Sequence, residues 1–303
     1  MRVLVTGRHG QVAHALVERM ACSDGLSAVF AARPELDLAD PDSIRRTIAA
    51  HQPDVVISAA AYTAVDLAED EPEAAHALNA VAPGVIAQAC RAAGARLLHL
   101  STDYVFSGEA SAPYREDDAT APLGVYGRTK LLGEEAVRQA LPDAHMIART
   151  AWVYSPFGKN FVKTMLRLAE TRDELAIVAD QYGNPTSAFD IADGLLAVLD
   201  TWRDGSRTGL GETYHLAGSG EASWYDLASH VLNESAALGG PTARVRPIPA
   251  SDYPTRARRP ANSRLDTGHF TAAFGYAAPD WRPSSAAVVA RLLSGQAAAE
   301  PLT

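Results

Sequence analysis

Cysteine is scarce: only Cys22 and Cys90 occur in 303 residues, both in alanine-rich, helix-like surroundings. That pair supplies neither a disulfide framework nor a thiolate metal site. The nine histidines are scattered without cysteine or carboxylate company at ligand spacing, so no metal is expected. No apolar run reaches the roughly eighteen residues of a membrane-spanning helix, so no membrane partner is expected. Basic residues are in deficit, 27 Lys and Arg against 36 Asp and Glu, for a formal charge of -9. A nucleic-acid binder presents a clustered basic surface, so no nucleic-acid partner is expected either. The group Arg244, Arg246, Arg256, Arg258 and Arg259 reads in two ways: an attractor for a small anionic substrate, or solvated balance to an acidic first half. A GxSxG segment for hydrolase chemistry is missing, as are repeats and low-complexity tracts. The chain opens Met1-Arg2 and enters a strand-like run at once, from which we expect no secretory leader and a cytoplasmic location.

What is present is an alternation of short Val/Ile/Leu runs with longer amphipathic stretches. Strands are expected at Arg2–Thr6, Ala28–Ala32, Asp54–Ser58, Arg96–Leu100, His145–Ala148 and Glu174–Val178. Helices are expected at Gln11–Met20, after the N-cap Asp40 with Pro41 at its first position, and over Glu71–Ala93 up to Gly94. Two more are expected at Tyr126–Gln139 and Phe161–Glu170. Strands alternating with helices of this length need crossover connections and a mostly parallel sheet. Near Asp180 the character changes, with prolines at 185, 241, 247, 249, 254, 260, 279 and 283 interrupting short elements. Helix candidates persist at Asp190–Leu199 and Trp224–Leu238, and Tyr214–Leu216 is a candidate to return to the sheet. The expected fold is α/β: a Rossmann-like, NAD(P)-binding parallel sheet flanked by helices mainly over 1–180, and a smaller substrate-binding lobe mainly over 181–303, some of whose elements can return to the main domain. Fraying is expected from Ala297.

Gly7-Arg8-His9-Gly10-Gln11-Val12-Ala13 stands between the first strand and the first helix. Glycines there allow a tight turn and close approach of backbone amides to a pyrophosphate, while the helix N-terminus offers unpaired N–H groups. The form is GxxGxxA, a weak pattern strengthened by its context, and Gly7 and Gly10 are its turn residues. On the base side the second strand runs into Phe30-Ala31-Ala32-Arg33, with Glu35 and Asp37 further on. An acid there favours ribose hydroxyls and NADH, whereas Arg33 suits a 2'-phosphate and NADPH. NADPH is favoured slightly.

Tyr126-Gly127-Arg128-Thr129-Lys130 places Tyr126 and Lys130 one turn apart on a helix face. A ketone reductase needs a proton source, and a phenol with an ordinary pKa of about 10 is helped by a nearby ammonium. Thr102 lies just past the fourth strand, where open parallel sheets bind ligands, and can hydrogen-bond a carbonyl oxygen or simply cap a turn. Trp152 reads as a core anchor or as a stacking surface.

These segments jointly resemble the dTDP-4-dehydrorhamnose reductase family of extended short-chain dehydrogenases/reductases. The likeness runs through Val5-Thr6-Gly7 to Gln11, Ala59 to Asp66, Ser101 to Phe106, Val125 to Lys130, Arg149 to Tyr154, Asp180 to Thr186, and Arg259-Pro260 with Asn262 to Leu265. It implies that Tyr126 protonates the reacting oxygen, Lys130 orients the cofactor ribose and tunes Tyr126, and Thr102 binds that oxygen. It implies cofactor contacts at Gly10, Gln11, Val12, Asp37, Leu38, Ala61, Tyr62 and Thr63, and substrate contacts at Asp103, Tyr104 and Trp152. The implied reaction uses NADPH or NADH to reduce the C4 ketone of dTDP-6-deoxy-beta-L-lyxo-hexos-4-ulose, giving dTDP-beta-L-rhamnose. Two departures stand out: Ala13 where the family commonly has glycine, and Ala15 where some members use a carboxylate in a magnesium-linked dimer. No essential metal is therefore expected, and the chain is expected to be a monomer or homodimer. A reductase for another nucleotide-linked deoxysugar and a non-catalytic NADP-binding regulatory subunit are the competing readings.

Overall fold

The computed structural model describes residues 1–295; the fraying expected from Ala297 falls in residues 296–303, outside the described residues. Six strands form one parallel sheet: β1 (Arg2–Thr6), β2 (Ser27–Ala31), β3 (Val55–Ser58), β4 (Arg96–Thr102), β5 (His145–Thr150) and, after four short strands introduced below, β10 (Glu212–His215). Their spatial order is β10-β5-β4-β3-β1-β2. The chain winds one way from β1 to β2 and the other way from β1 through β3, which puts the ligand crevice at the carboxyl ends of β1 and β3. Successive residues feed opposite faces. Val3, Val5, Val55, Ile57 and Leu98 enter one core with α1 (Gln11–Met20) and α8 (Ala188–Arg203). Leu4, Val56, Leu97 and Ile147 enter the other with α2 (Pro41–His51), α5 (Ala82–Ala93) and α6 (Val125–Ala140). Both faces are covered, so β3 and β5 are buried at every residue, although β5 carries His145, Arg149 and Thr150 beside its apolar centre. Ala15 is fully buried in this first core.

Between β3 and α5 come α3 (Val65–Ala68) and α4 (Pro72–His76). The helix expected over Glu71–Ala93 is broken in pattern, because Ala77–Val81 form a π turn between α4 and α5. Pro83 has no N–H to give the carbonyl of Asn79 four residues earlier, so the local hydrogen-bond ladder widens there. β4 and β5 each run two residues past their expected ends, to Thr102 and Thr150, because they stay paired as Ser101 with Arg149 and Thr102 with Thr150.

The expected change of character near Asp180 falls differently in space. Past β5 come β6 (Val153–Tyr154), α7 (Phe161–Ala169) and β7 (Glu174–Val178), then β8 (Tyr182–Gly183) and β9 (Thr186–Ser187). β7 does not extend the main sheet; it pairs in parallel with β12 (Arg244–Ile248). β11 (Ala222–Ser223) pairs with β8, and α9 (Trp224–Ala237), α10 (Gly268–Phe274) and α11 (Trp281–Leu293) complete the described elements. A third core joins Val162 and Leu166 of α7, Leu175 of β7, Leu227 and Val231 of α9 and Trp281 of α11. Residues before 180 therefore pack with the second unit, while α8, β10 and α10 return to the first. No helix among the described residues is long and apolar enough to cross a membrane.

Candidate active site

The turn after β1 is built as its glycines require. Gly7 adopts φ +95°, and its N–H donates to the Ala31 carbonyl at 2.8 Å, bringing the turn against the end of β2. Gly10 is the N-cap of α1 with ordinary φ, and a Cβ added there would find no heavy atom within 4 Å. Neither backbone strain nor packing explains glycine at that position. Open space above unpaired helix N–H groups fits an approaching pyrophosphate. Val12 is buried behind the turn. The Gln11 side chain is committed elsewhere: its Nε2 donates to Val153 O at 3.3 Å, and its Oε1 accepts from Ser155 Oγ and Asn160 Nδ2. Its amide oxygen is fully engaged, and the side chain ties α1 to the segment before α7.

At the end of β2 the acids are already engaged. Glu35 pairs with His51 at 2.6 Å, and Asp37 Oδ1 accepts from Ala39 N. Leu38 packs against the second core. Arg33 is exposed. Arg8, which the sequence left unassigned, donates from Nε and Nη2 to Phe30 O at 3.2 and 3.1 Å, so its guanidinium sits at the end of the strand that Arg33 follows. On the other side of β1, Thr6 Oγ1 accepts from Ala59 N and Ala60 N and fixes the start of the loop Ala61-Tyr62-Thr63. Asn79, in the π turn, holds that loop further: its Oδ1 accepts from Tyr62 N and its Nδ2 donates to Tyr62 O and to Thr129 Oγ1 on α6. Periodicity does not reveal this residue.

α6 begins where Glu69 Oε1 accepts from Val125 N at 2.7 Å, and it carries Tyr126 and Lys130 along the carboxyl end of β4. Gly127 lies so close to the Tyr104 carbonyl oxygen that a Cβ would collide with it. Thr102, 4% exposed, donates to Asp103 Oδ1 at 2.9 Å and accepts from Tyr104 N at 3.2 Å, and its hydroxyl lies beside that of Tyr126. Burial pushes Tyr126 up to about 12, with the Thr102 contact working the other way. The expected ammonium effect on Tyr126 is not what dominates here. Lys130 Nζ instead donates to Leu100 O at 2.7 Å, and burial pushes this lysine down to about 8.

Asp103 is 2% exposed, burial pushes it up to about 6, and its Oδ2 has no hydrogen-bond partner among the described residues. Tyr104 meets Tyr126 edge-on at 5.6 Å. Trp152 has left-handed backbone (φ +45°), its Nε1 donates to Ser263 Oγ, and Gly183 packs against its ring. Its indole lies flat on Trp224 with centroids 3.5 Å apart, so that face is not open to a ligand. Trp224 instead lines a cavity of about 630 Å³ with Phe161, Ile177, Tyr253 and Arg259. Arg259 forks onto both oxygens of Asp66, at 3.3 and 2.7 Å, and its charge acts on Tyr104, so that cavity adjoins the Tyr126 neighbourhood. Of the five late arginines only Arg246 and Arg259 line it; Arg244 pairs with Glu174 and Arg256 with Asp70. A larger hollow of about 980 Å³ lies at the far end of the sheet, beside Gln52, Gly94 and Arg203. Those residues mark the C-terminal ends of α2, α5 and α8, where arginines complement helix carbonyls, and no member of the chemical group reaches it.

The family model described as the RmlD substrate binding domain matches residues 1–294. A curated dTDP-4-dehydrorhamnose reductase from Sinorhizobium fredii is 46% identical over 98% of this chain and 99% of its own. Among solved structures, a dTDP-4-dehydrorhamnose reductase from Clostridium acetobutylicum has 34% identity and a TM-score of 0.89, covering 97% of this chain and 100% of its own. That of Bacillus anthracis, in complex with NADP, has 30% identity and a TM-score of 0.87, covering 96% and 99%. This chain belongs to the dTDP-4-dehydrorhamnose reductase family.

Proposed function

We propose that this protein reduces the C4 ketone of dTDP-6-deoxy-beta-L-lyxo-hexos-4-ulose to dTDP-beta-L-rhamnose with NADPH. The observation that carries this reading is the junction of Thr102, Asp103, Tyr104 and Tyr126 at the carboxyl end of β4, next to a cavity walled by Trp224 and Arg259. Bound NADPH supplies the hydride. Gly7, Gly10 and the backbone of Gln11 and Val12 would hold its pyrophosphate, with Asp37, Leu38, Ala61, Tyr62 and Thr63 along its length. The cavity beside Arg259 has room for a nucleoside diphosphate, and a guanidinium fork matches phosphate geometry.

Tyr126 then acts as the acid. Raised to about 12, it is fully protonated at neutral pH, and an alkoxide is far more basic than a phenolate, so the proton moves downhill to the C4 oxygen. Thr102 has one hydroxyl hydrogen, now given to Asp103; turning it toward the substrate oxygen stabilises the charge that develops there. Lys130 would orient the ribose and hold positive charge beneath the phenol. Asp103, with an unpartnered oxygen, and Tyr104 would meet sugar hydroxyls, and Trp152 would contribute through its edge. The unit around the six-stranded sheet binds the cofactor, and the unit around the third core binds the sugar nucleotide.

A panel of dTDP-linked 4-keto-6-deoxy sugars tests the reading. Turnover of the L-lyxo substrate to the rhamnose product is expected, with slower reduction of the others. Reduction of another sugar without rhamnose formation would replace this reading by a related reductase. A second expectation concerns the two guanidiniums at the end of β2. Arg8→Ala and Arg33→Ala should each weaken 2',5'-ADP binding about tenfold, the size of a charge-assisted hydrogen bond, and leave 5'-ADP unchanged. Equal loss for both nucleotides in a calorimetric titration would remove the 2'-phosphate assignment.

A further inference from the structure

Glu134 is the most completely buried carboxylate near the chemical group, at 0% exposure, and the mechanism above does not use it. It stands on α6 one further turn beyond Lys130, so Tyr126, Lys130 and Glu134 share a face at successive i, i+4 steps. Both carboxylate oxygens are occupied. Oε1 accepts from Ser101 Oγ at 2.6 Å and Arg149 Nε at 2.9 Å; Oε2 accepts from Arg149 Nη2 and Arg138 Nη2, each at 2.8 Å. Ser101 is the neighbour of Thr102 on β4, and Arg149 is its register partner on β5. One carboxylate therefore joins the helix that carries Tyr126 and Lys130 to the two strand ends that carry Thr102 and Thr150.

The charge count points the same way. Lys130 and Arg149 are both buried, and Arg138 approaches from the surface with 37% of its side chain exposed. Arg149 and Arg138 hold the carboxylate directly, and Lys130 stands one helical turn away with its ammonium on Leu100 O. Without it, two buried cations and the edge of a third would face one another in a medium that screens poorly. A surface role for Glu134 is excluded by its burial, and a neutral glutamine would satisfy the hydrogen bonds of Arg149 only in part.

We propose that Glu134 is a positioning residue for the reaction: it locks the catalytic helix to the ends of β4 and β5 and supplies the buried negative charge against which Lys130 remains an ammonium. Its placement is independent of which sugar is reduced, though its meaning for turnover rests on the reductase reading. The titratable and charged groups around Lys130 are Tyr126, Glu134 and Arg138 on its own helix, His99 on β4, Asp103 after it, and His145 and Arg149 on β5. His215 on β10 faces Arg149 and Glu134. Burial holds His99 and His145 below the usual histidine range and pushes His215 down to about 3, so these rings stay neutral near pH 8. Asp103 titrates on the acid side. Glu134 is the group that counters burial at Lys130.

The chain has three lysines, Lys130, Lys159 and Lys163, so ¹³C-lysine NMR follows the Lys130 Cε signal through a pH titration of the cofactor-free protein. Glu134→Gln should move the Lys130 titration to lower pH by about one unit or more, as removal of a nearby opposite charge does. Arg138→Gln removes a competing cation at the surface, so it should move the titration to higher pH by a smaller step. If Glu134→Gln does not fold, the direction of the Arg138→Gln shift decides alone. The alkaline limb of kcat for ketone reduction should follow the same two directions. A Lys130 titration that stays in place, or moves in the wrong direction, overturns the proposal. Because the NMR readout needs no substrate, that failure is distinct from a failure to turn over the dTDP sugar.

Discussion

Replacing Tyr126 by phenylalanine is expected to lower kcat by roughly two to four orders of magnitude, the usual share of a positioned acid, while cofactor affinity stays within about twofold. The hydroxyl removed lies beside Thr102, and the ring keeps its edge-on packing with Tyr104. Folding should therefore be nearly unaffected. Residual turnover has an identifiable source in Asp103, pushed up to about 6 by burial and hydrogen-bonded to Thr102. That residue is protonated below pH 6 and ionised above it, so residual activity should rise as pH falls through 6. Steady-state kinetics with a cofactor titration reads both parts. Wild-type kcat in the phenylalanine variant would remove Tyr126 from the acid role.

The second large effect is structural and comes from the π turn. Pro83 leaves the Asn79 carbonyl without its helical donor, and that oxygen lies against Gly133 of α6, where an added Cβ would collide with it. The same Cβ would stand 3.2 Å from the Asn79 carbonyl carbon and 3.4 Å from Pro83 Cγ, so the obstruction is mostly backbone. Gly133→Ala should cost about 3 kcal/mol or more, at the upper end of overpacking penalties because little can yield. Since the Asn79 side chain also holds both backbone groups of Tyr62, the loop to which we assign cofactor contacts should shift and affinity fall with stability. Gly10→Ala is the contrast: its Cβ meets nothing within 4 Å, so stability should hold while cofactor binding weakens. Thermal unfolding and cofactor titration separate the two variants. A Gly133→Ala protein of wild-type stability would contradict the packing.

Legibility in the sequence followed the physics that each feature depends on. α1 and the capped start of α2 were readable because Gly10, Asp40 and Pro41 act locally, and Asp40 does accept from Asp42 N as an N-cap should. The inner strands β1, β3 and β4 were readable because burial on both faces favours runs of Val, Ile and Leu. β7 has the same kind of run, yet it pairs with β12 outside the main sheet, since pairing partners are a long-range choice that a strand's own residues do not encode. The Tyr126–Lys130 step was visible as a helical repeat. The continuation of that step to Glu134 was equally present, but an acid on a helix reads as solvated until Arg149 and Ser101 are brought in from two strands. Gln11 and Trp152 show the complementary limit: motif position marks them, whereas the contacts with Asn160 and Trp224 that occupy their side chains come from distant segments.

The most direct measurement of the central claim follows one labelled hydrogen. NADPH carrying deuterium at the transferable position of its nicotinamide is incubated with the enzyme and dTDP-6-deoxy-beta-L-lyxo-hexos-4-ulose, and the product is read by NMR. The expected product is dTDP-beta-L-rhamnose with deuterium at C4 and none elsewhere on the sugar. Cofactor oxidation without label at C4, or a 4-hydroxy product of the opposite configuration, would contradict that claim.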